Sequence, residues 1–220
     1  MGRALAAALR SSGVDVSGPH GRGFSAVGVS CDAILLCVPD REIAGAAVAL
    51  HTDALVGHCS GATPLTALAP HEGFGLHPLM TVTPGGATFA GAGAGVAGTT
   101  DRALAFATAL AERLGMRPFA LADADRAAYH AGAAMASNLL IALEEAAQRV
   151  AGIERGLLVP LVRATVETWA QLGPSALTGP ISRGDEATID RHREAISERA
   201  PDLLELYDVL TGAAREVAAA

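Results

Sequence analysis

The sequence predicts an α/β sheet domain followed by an all-helical one, and three observations carry that expectation. Up to Asp123, short apolar runs alternate with Ala-rich helical stretches, the pattern of a parallel sheet with crossover helices. Beyond Asp123 the strand signals stop and helical patterns follow at 124–150, 156–172 and 186–218, the last broken by Pro201. Half of the 220 residues are apolar but only 4% are aromatic. The core is therefore expected to be Ala, Val, Leu and Gly packing, which suits close helix–strand contact and excludes disordered, collagen-like and low-complexity chains. The expected domains are 1–122 and 123–220.

In order along the chain, 1–12 is helical in pattern and Gly13 ends it. Residues 14–17 form a short expected strand leading into the turn Gly18-Pro19-His20-Gly21. Residues 33–38 (AILLCV) are continuously apolar, hence a strand covered on both faces. Pro39-Asp40 stops it, and 41–51 is helical. Further strands are expected at 55–58, closed by Ser60-Gly61, at 73–77, followed by Pro78, at 94–99 and at 117–121. Residues 101–114 form a helix with Thr100 as its cap. Between the later helices lies 174–185 (PSALTGPISRGD), a polar loop of a length that is often functional.

Charge and motifs exclude several classes. The 16 basic residues, all arginine, face 23 acidic ones for a net charge of -7, so no basic stripe invites nucleic acid or an anionic membrane surface. No apolar run approaches the roughly 18 residues that span a bilayer, and the first 13 residues lack a clear signal-peptide cleavage site. Cys31, Cys37 and Cys59 have no CxxC spacing and are expected as small buried residues in a reducing cytoplasm. A G-x-S-x-G elbow and an H-E-x-x-H metal motif are both missing.

A dinucleotide-binding unit opens with a strand and G-x-G-x-x-G, whose third glycine lies in the following helix. Gly2 stands directly at a helix. It is either that third glycine, with the first strand and both pyrophosphate-facing glycines absent, or simply the residue after an initiator methionine. Gly93-x-Gly95-x-x-Gly98 matches the fingerprint literally, but no convincing strand precedes it. Those glycines are expected in a strand and its turns.

The succession VDVSGP, AILLCVPD, GHCSGAT, GLHPLMT, AAYHAGAAMASNLL and LTGPISRGD resembles a group of bacterial oxidoreductases. These pair a Rossmann-like domain with a helical C-terminal domain of unknown function. The helical part is similar to the C-terminal domains of 6-phosphogluconate dehydrogenase and of pyrroline-5-carboxylate reductase relatives. The resemblance spans essentially the whole chain and implies a nicotinamide-dependent reductase. Members usually begin upstream with an intact G-x-G-x-M-G run, so the resemblance implies a truncated or misassigned start at Met1 and a question over cofactor affinity.

In such a sheet, ligands bind beyond the carboxyl ends of the strands. The expected cofactor-binding residues are Gly2, His20, Arg22, Val38, Pro39, Asp40, His58 and Gly61. The turn carrying His20 and Arg22 holds no acid for a ribose hydroxyl, whereas guanidinium suits a 2′-phosphate. NADP is therefore preferred, with NAD as the other option; Arg22 is alternatively a solvated surface residue. His58 and His77, beside Ser60, flank the nicotinamide end or else are structural histidines bonded to backbone. On the first long helix, His130, Ala134, Ser137 and Ile141 share a face at 100° per residue, with Asn138 at its edge. They face substrate, or hydrogen-bond within a dimer core.

The sequence has no lysine, which excludes the helix-lysine acid–base group of many relatives. A protonated imine brings its own proton; a carbonyl needs one from His130 or His77. In the polar loop, Thr178 and Arg183 close the cleft over a substrate carboxylate or phosphate, or Asp185 caps the next helix and Arg183 holds the loop. The expected catalytic set is His77, His130, Asn138 and Ser60, with Ser137, Thr178 and Arg183 on the substrate and no metal. The function expected is an NADP-dependent oxidoreductase acting on a small carbonyl or imine, dimeric through its helical domain. The alternative is a non-catalytic nucleotide- or metabolite-binding protein, a degenerate dehydrogenase lacking the phosphate loop.

Overall fold

Alternation of short apolar strands with helices produces a five-stranded sheet in the order β1-β2-β3-β4-β5. The computed structural model describes residues 1–83 and 85–219. Helix α1 (Gly2–Ser11) precedes β1 (Ala33–Leu36), α2 (Ile43–Val48), β2 (Leu55–His58), β3 (Gly73–Leu79) and β4 (Gly93–Gly98). Then come α3 (Asp101–Arg113), β5 (Arg117–Ala120), α4 (Arg126–Ala134), α5 (Leu140–Ala151), α6 (Arg155–Leu172), α7 (Glu186–Arg199) and α8 (Leu204–Ala219). β1, β2 and β3 are parallel, as are β4 and β5, but β3 and β4 pair antiparallel. The reversal has a simple cause: no helix crosses over between β3 and β4, so the chain turns straight back. The architecture is a Rossmann-like mixed sheet followed by a helical part.

The small-residue core is realised on both faces. On one, Leu5 and Leu9 of α1 and Ala103, Ala107 and Ala111 of α3 pack on Phe74, Leu76, Ala94 and Val96. On the other, Ile43 and Ala47 of α2 pack with Val56, Leu65 and Leu68. The alanine stripe of α3, at every fourth position, lets its backbone approach β4 closely: a Cβ on Gly98 would lie 2.2 Å from the Leu104 nitrogen. Gly93, Gly95 and Gly98 all sit inside β4, so the literal fingerprint is strand, not a phosphate loop.

Three expectations need correction. Residues 14–17 are unpaired rather than a strand; the Val16 carbonyl instead accepts from the Arg10 guanidinium at 2.9 Å. The four residues of β1 are only half-buried, because β1 is the sheet edge with one neighbour instead of two. The helix expected over 124–150 is interrupted: a π-helical stretch, Met135–Leu139, separates α4 from α5. A π turn changes the helical phase, so the single face drawn from His130 through Ser137 to Ile141 does not run on at 100° per residue.

The chain divides into two compact units, Met1–Ser137 and Asn138–Ala220. In the second, Ile189, Ile196 and Ala200 are buried, and ion pairs Arg149–Asp202 and Arg193–Asp208 join its elements. Neither α5 nor α6 contributes a buried residue. Among the described residues no helix is long and apolar enough to cross a membrane.

Candidate functional site

The parallel register Leu36↔His58 and His58↔Gly75 brings the carboxyl ends of β1 and β2 level beside β3. The turn after β2 supplies Ser60, whose hydroxyl donates to the Asp40 carboxylate at 2.6 Å. The same oxygen accepts from the N–H groups of Ala62 and Thr63 at 3.2 and 2.9 Å. Asp40 itself follows Pro39 in the turn that stops β1.

From Ser60 the network runs to α4. Its carbonyl accepts from Arg126 Nη1 at 3.3 Å, and Arg126 Nε donates to Asp123 at 2.6 Å. The other Asp123 oxygen accepts from the Leu65 N–H at 2.9 Å. The Arg126 side chain is 2% exposed, and β3 makes room for it with a glycine: a Cβ on Gly75 would lie 2.9 Å from Arg126 Nη2.

Anchored in this way, α4 carries Tyr129 and His130 against β3. Tyr129 Oη and His77 Nδ1 are 2.7 Å apart, with the rings edge-to-face at 5.4 Å. The His77 and His130 ring centroids are 6.3 Å apart. Both imidazoles face Gly61: a Cβ there would lie 3.0 Å from His77 Nε2, from His77 Cε1 and from His130 Cδ2. Burial, reinforced by His130 and then Arg126, pushes the His77 pKa down to about 4, so its imidazole is neutral at pH 7.

His58 is neutral too, pushed down to about 4 by burial and then by Arg126. Fully buried, it accepts the Ser60 N–H on Nδ1 at 3.2 Å, and its Nε2 has no hydrogen-bond partner among the described residues. A measurable consequence follows. Because the folded pKa lies below the ordinary 6.5, the unfolded chain binds more protons between those values. Stability is therefore lost as pH falls from about 6.5 through about 4, by at most ~3 kcal/mol for this residue. Urea unfolding of His58→Gln is expected to depend less steeply on pH across that window than unfolding of the wild type; parallel profiles would sink the assignment.

The remaining expected residues are distributed as follows. Gly2 opens α1, and a Cβ there would meet Cys37 Cβ at 3.1 Å, so the first turn of α1 packs tightly on the tip of β1. Val38 and Pro39 form the turn before Asp40. His20 stacks on Phe24 at 4.1 Å, its Nε2 3.0 Å from Ser17 Oγ. Arg22 is 84% exposed and pairs with Glu42 at 2.9 Å. Ser137 lies in the π-helical stretch and closes the first unit. Asn138, Thr178 and Arg183 are exposed residues of the second unit. There Asp185 caps α7, accepting from the Thr188 N–H at 3.1 Å, while the Arg183 side chain makes no hydrogen bond or ion pair among the described residues.

Tyr129, Arg126 and Asp123 are absent from the sequence-derived site. A signal was available: Asp123, Arg126 and Tyr129 recur at intervals of three, and His130 is four from Arg126. That spacing puts them on one side of a helix start.

The family described as a domain of unknown function, DUF2520, matches residues 93–214. No curated protein matches the chain. Among solved structures, a candidate NADP oxidoreductase from Bacteroides fragilis is similar at a TM-score of 0.80 and 19% identity, over 97% of this chain and 93% of that one. A protein from Thermotoga maritima matches at a TM-score of 0.77 and 26% identity, over 86% and 80%. A Plasmodium falciparum pyrroline carboxylate reductase with NADP bound matches at 0.56 and 12% identity, over 99% and 94%.

Proposed function

The chain belongs to the DUF2520 family, and from that premise we propose that it is an NADP-dependent oxidoreductase reducing a small carbonyl or imine compound. The observation that carries this reading is the convergence of two imidazoles on a position without a side chain. His77, neutral and bonded to Tyr129, and His130 both meet Gly61 at the carboxyl end of β2. Strand tips are where a sheet of this kind receives ligands. The Bacteroides fragilis and Plasmodium falciparum neighbours, described with NADP, support the choice of cofactor class.

The residues present fit a nicotinamide dinucleotide. Gly2, Val38, Pro39 and Asp40 would line its path across the strand tips, and Gly61, packed against both imidazoles, would stand at its nicotinamide end. Arg22 would take a 2′-phosphate, since its partner Glu42 holds it through one exposed ion pair that water screens. When bound, the cofactor supplies the hydride. Tyr129, by donating to His77 Nδ1, keeps the His77 proton on Nε2, on the side of Gly61. That N–H donates to a carbonyl oxygen, and a neutral ring sets no charge against a cationic iminium. His130, exposed on α4, would deliver the proton a carbonyl oxygen takes up. With no lysine in the sequence, acid–base work falls to these imidazoles.

We also infer a homodimer through the helical unit. Ile141, Leu157, Leu161 and Trp169 are each more than 60% exposed, and apolar surface in such quantity marks an interface. A second copy of the same face is its occupant.

Thermal shift tests the cofactor reading. Ligand at 100 times its Kd adds about 2.7 kcal/mol, so NADPH should raise Tm by several degrees, and by more than NADH. Arg22→Ala should erase the difference between the two. No shift with either at millimolar concentration overturns the reading in favour of a protein that does not bind nicotinamide nucleotides. A monomer by sedimentation equilibrium overturns the dimer.

A further inference from the structure

The three cysteines are not the small buried residues expected from the sequence, and two of them meet at the tips of β1 and β2. Cys37 follows Leu36 and Cys59 follows His58, a pair in register across parallel strands, and their sulfurs are 3.8 Å apart. Cys37 is exposed and Cys59 half-buried, while Cys31 is also exposed. Cys37 lies directly beneath the first turn of α1: a Cβ on Gly2 would be 3.6 Å from Cys37 Sγ. A helix N-terminus over a thiol favours the thiolate, and the hydrogen bond from the Cys59 thiol also holds the Cys37 pKa down. That same bond, with burial, holds Cys59 as a thiol. One cysteine is thus prepared to attack, and its neighbour to resolve.

We propose that Cys37 and Cys59 are a dithiol modification site that low-molecular-weight disulfides oxidise to an intramolecular bridge. The Cys37 thiolate attacks one sulfur of oxidised glutathione, forming a mixed disulfide and expelling one glutathione thiolate. The Cys59 thiol then gives up its proton to water and attacks the Cys37 sulfur, forming the Cys37–Cys59 bond and expelling the second glutathione thiolate. Two protein thiols are oxidised to one disulfide, and oxidised glutathione is reduced to two glutathione molecules. Adjacent strands hold the Cα atoms at about 4.8 Å, within the span a disulfide bridges, so the sulfurs close by side-chain rotation. The inference is independent of the reductase reading, because its readout is thiol chemistry alone.

The test is to incubate the full chain with oxidised glutathione, trap free thiols with N-ethylmaleimide and measure the intact mass. One maleimide on Cys31 is expected in place of three, with a Cys37–Cys59 linked peptide in a non-reducing digest. Dithiothreitol should restore three. Cys59→Ser should stop at one glutathione on Cys37, and Cys31→Ser should form the bridge as readily as the wild type. Three maleimides on the treated wild type, or a bridge that uses Cys31, overturns the proposal.

Discussion

Gly61→Ala is expected to lower kcat/KM about 100-fold at a modest cost in stability. The added methyl would stand 3.0 Å from His77 Nε2, His77 Cε1 and His130 Cδ2. The backbone at Gly61 is not in the left-handed region, so alanine is not strained there. The methyl can be accommodated only if the imidazoles move apart by several tenths of an ångström. Two rings that must meet one substrate atom tolerate little displacement; a misplacement near 1 Å costs on the order of 10²-fold. Gly61 is buried, and crowding a packed position costs about 1–3 kcal/mol, so Tm should fall by a few degrees while the variant stays folded at assay temperature. Gly132→Ala is the matched control, because a Cβ there meets nothing within 4 Å. NADPH oxidation with a small cyclic imine or aldehyde gives the rates. Wild-type kcat/KM in Gly61→Ala would remove His77 and His130 from the reaction.

The parts of this arrangement that a sequence displays are those set by local pattern. Strand positions at 55–58 and 73–77 follow from runs of apolar residues, and the Thr100 cap follows from residue type at a helix start; both stand in the structure. The glycine of HCSGAT was legible as a strand-tip group for the same reason, whereas the histidine of GLHPLMT, expected at the end of its strand, lies inside β3, which pairs with β4 as far as Leu79. What could not be read was pairing over distance. Tyr129 reaches His77 across 52 positions, and Arg126 reaches the Ser60 carbonyl across 66. No local period encodes either contact. The π-helical stretch at Met135–Leu139 was hidden as well, since the alanine-rich sequence on either side of it has the pattern of an uninterrupted helix. Arg22 illustrates the converse: as a lone exposed arginine it is open to a phosphate, yet Glu42, twenty residues on, already pairs with it.

Asp123→Ala is expected to destabilise the first unit by about 2–3 kcal/mol, less than for a fully buried ion pair because only the guanidinium is buried. The two partners are not equivalent. Arg126 is 2% exposed, while the Asp123 side chain is 38% exposed. Without Asp123 the guanidinium stays buried with the Ser60 carbonyl, at 3.3 Å, as its remaining acceptor, and the Leu65 N–H loses its acceptor too. Without Arg126, by contrast, the carboxylate turns to water. Arg126→Met should therefore cost about 1–2 kcal/mol, the loss of hydrogen bonds without a stranded charge. The asymmetry leads to a stronger expectation for the pair. Removing the guanidinium from Asp123→Ala removes the uncompensated charge, so the double variant should be more stable than Asp123→Ala alone. Urea midpoints of the three variants form a double-mutant cycle that reads this directly. A double variant less stable than Asp123→Ala would mean that Arg126 holds α4 chiefly by packing. The geometry argues otherwise: this one side chain ties the helix bearing Tyr129 and His130 to the strand-tip turn bearing Ser60 and Gly61. Its charge pairing is what keeps the two imidazoles facing Gly61.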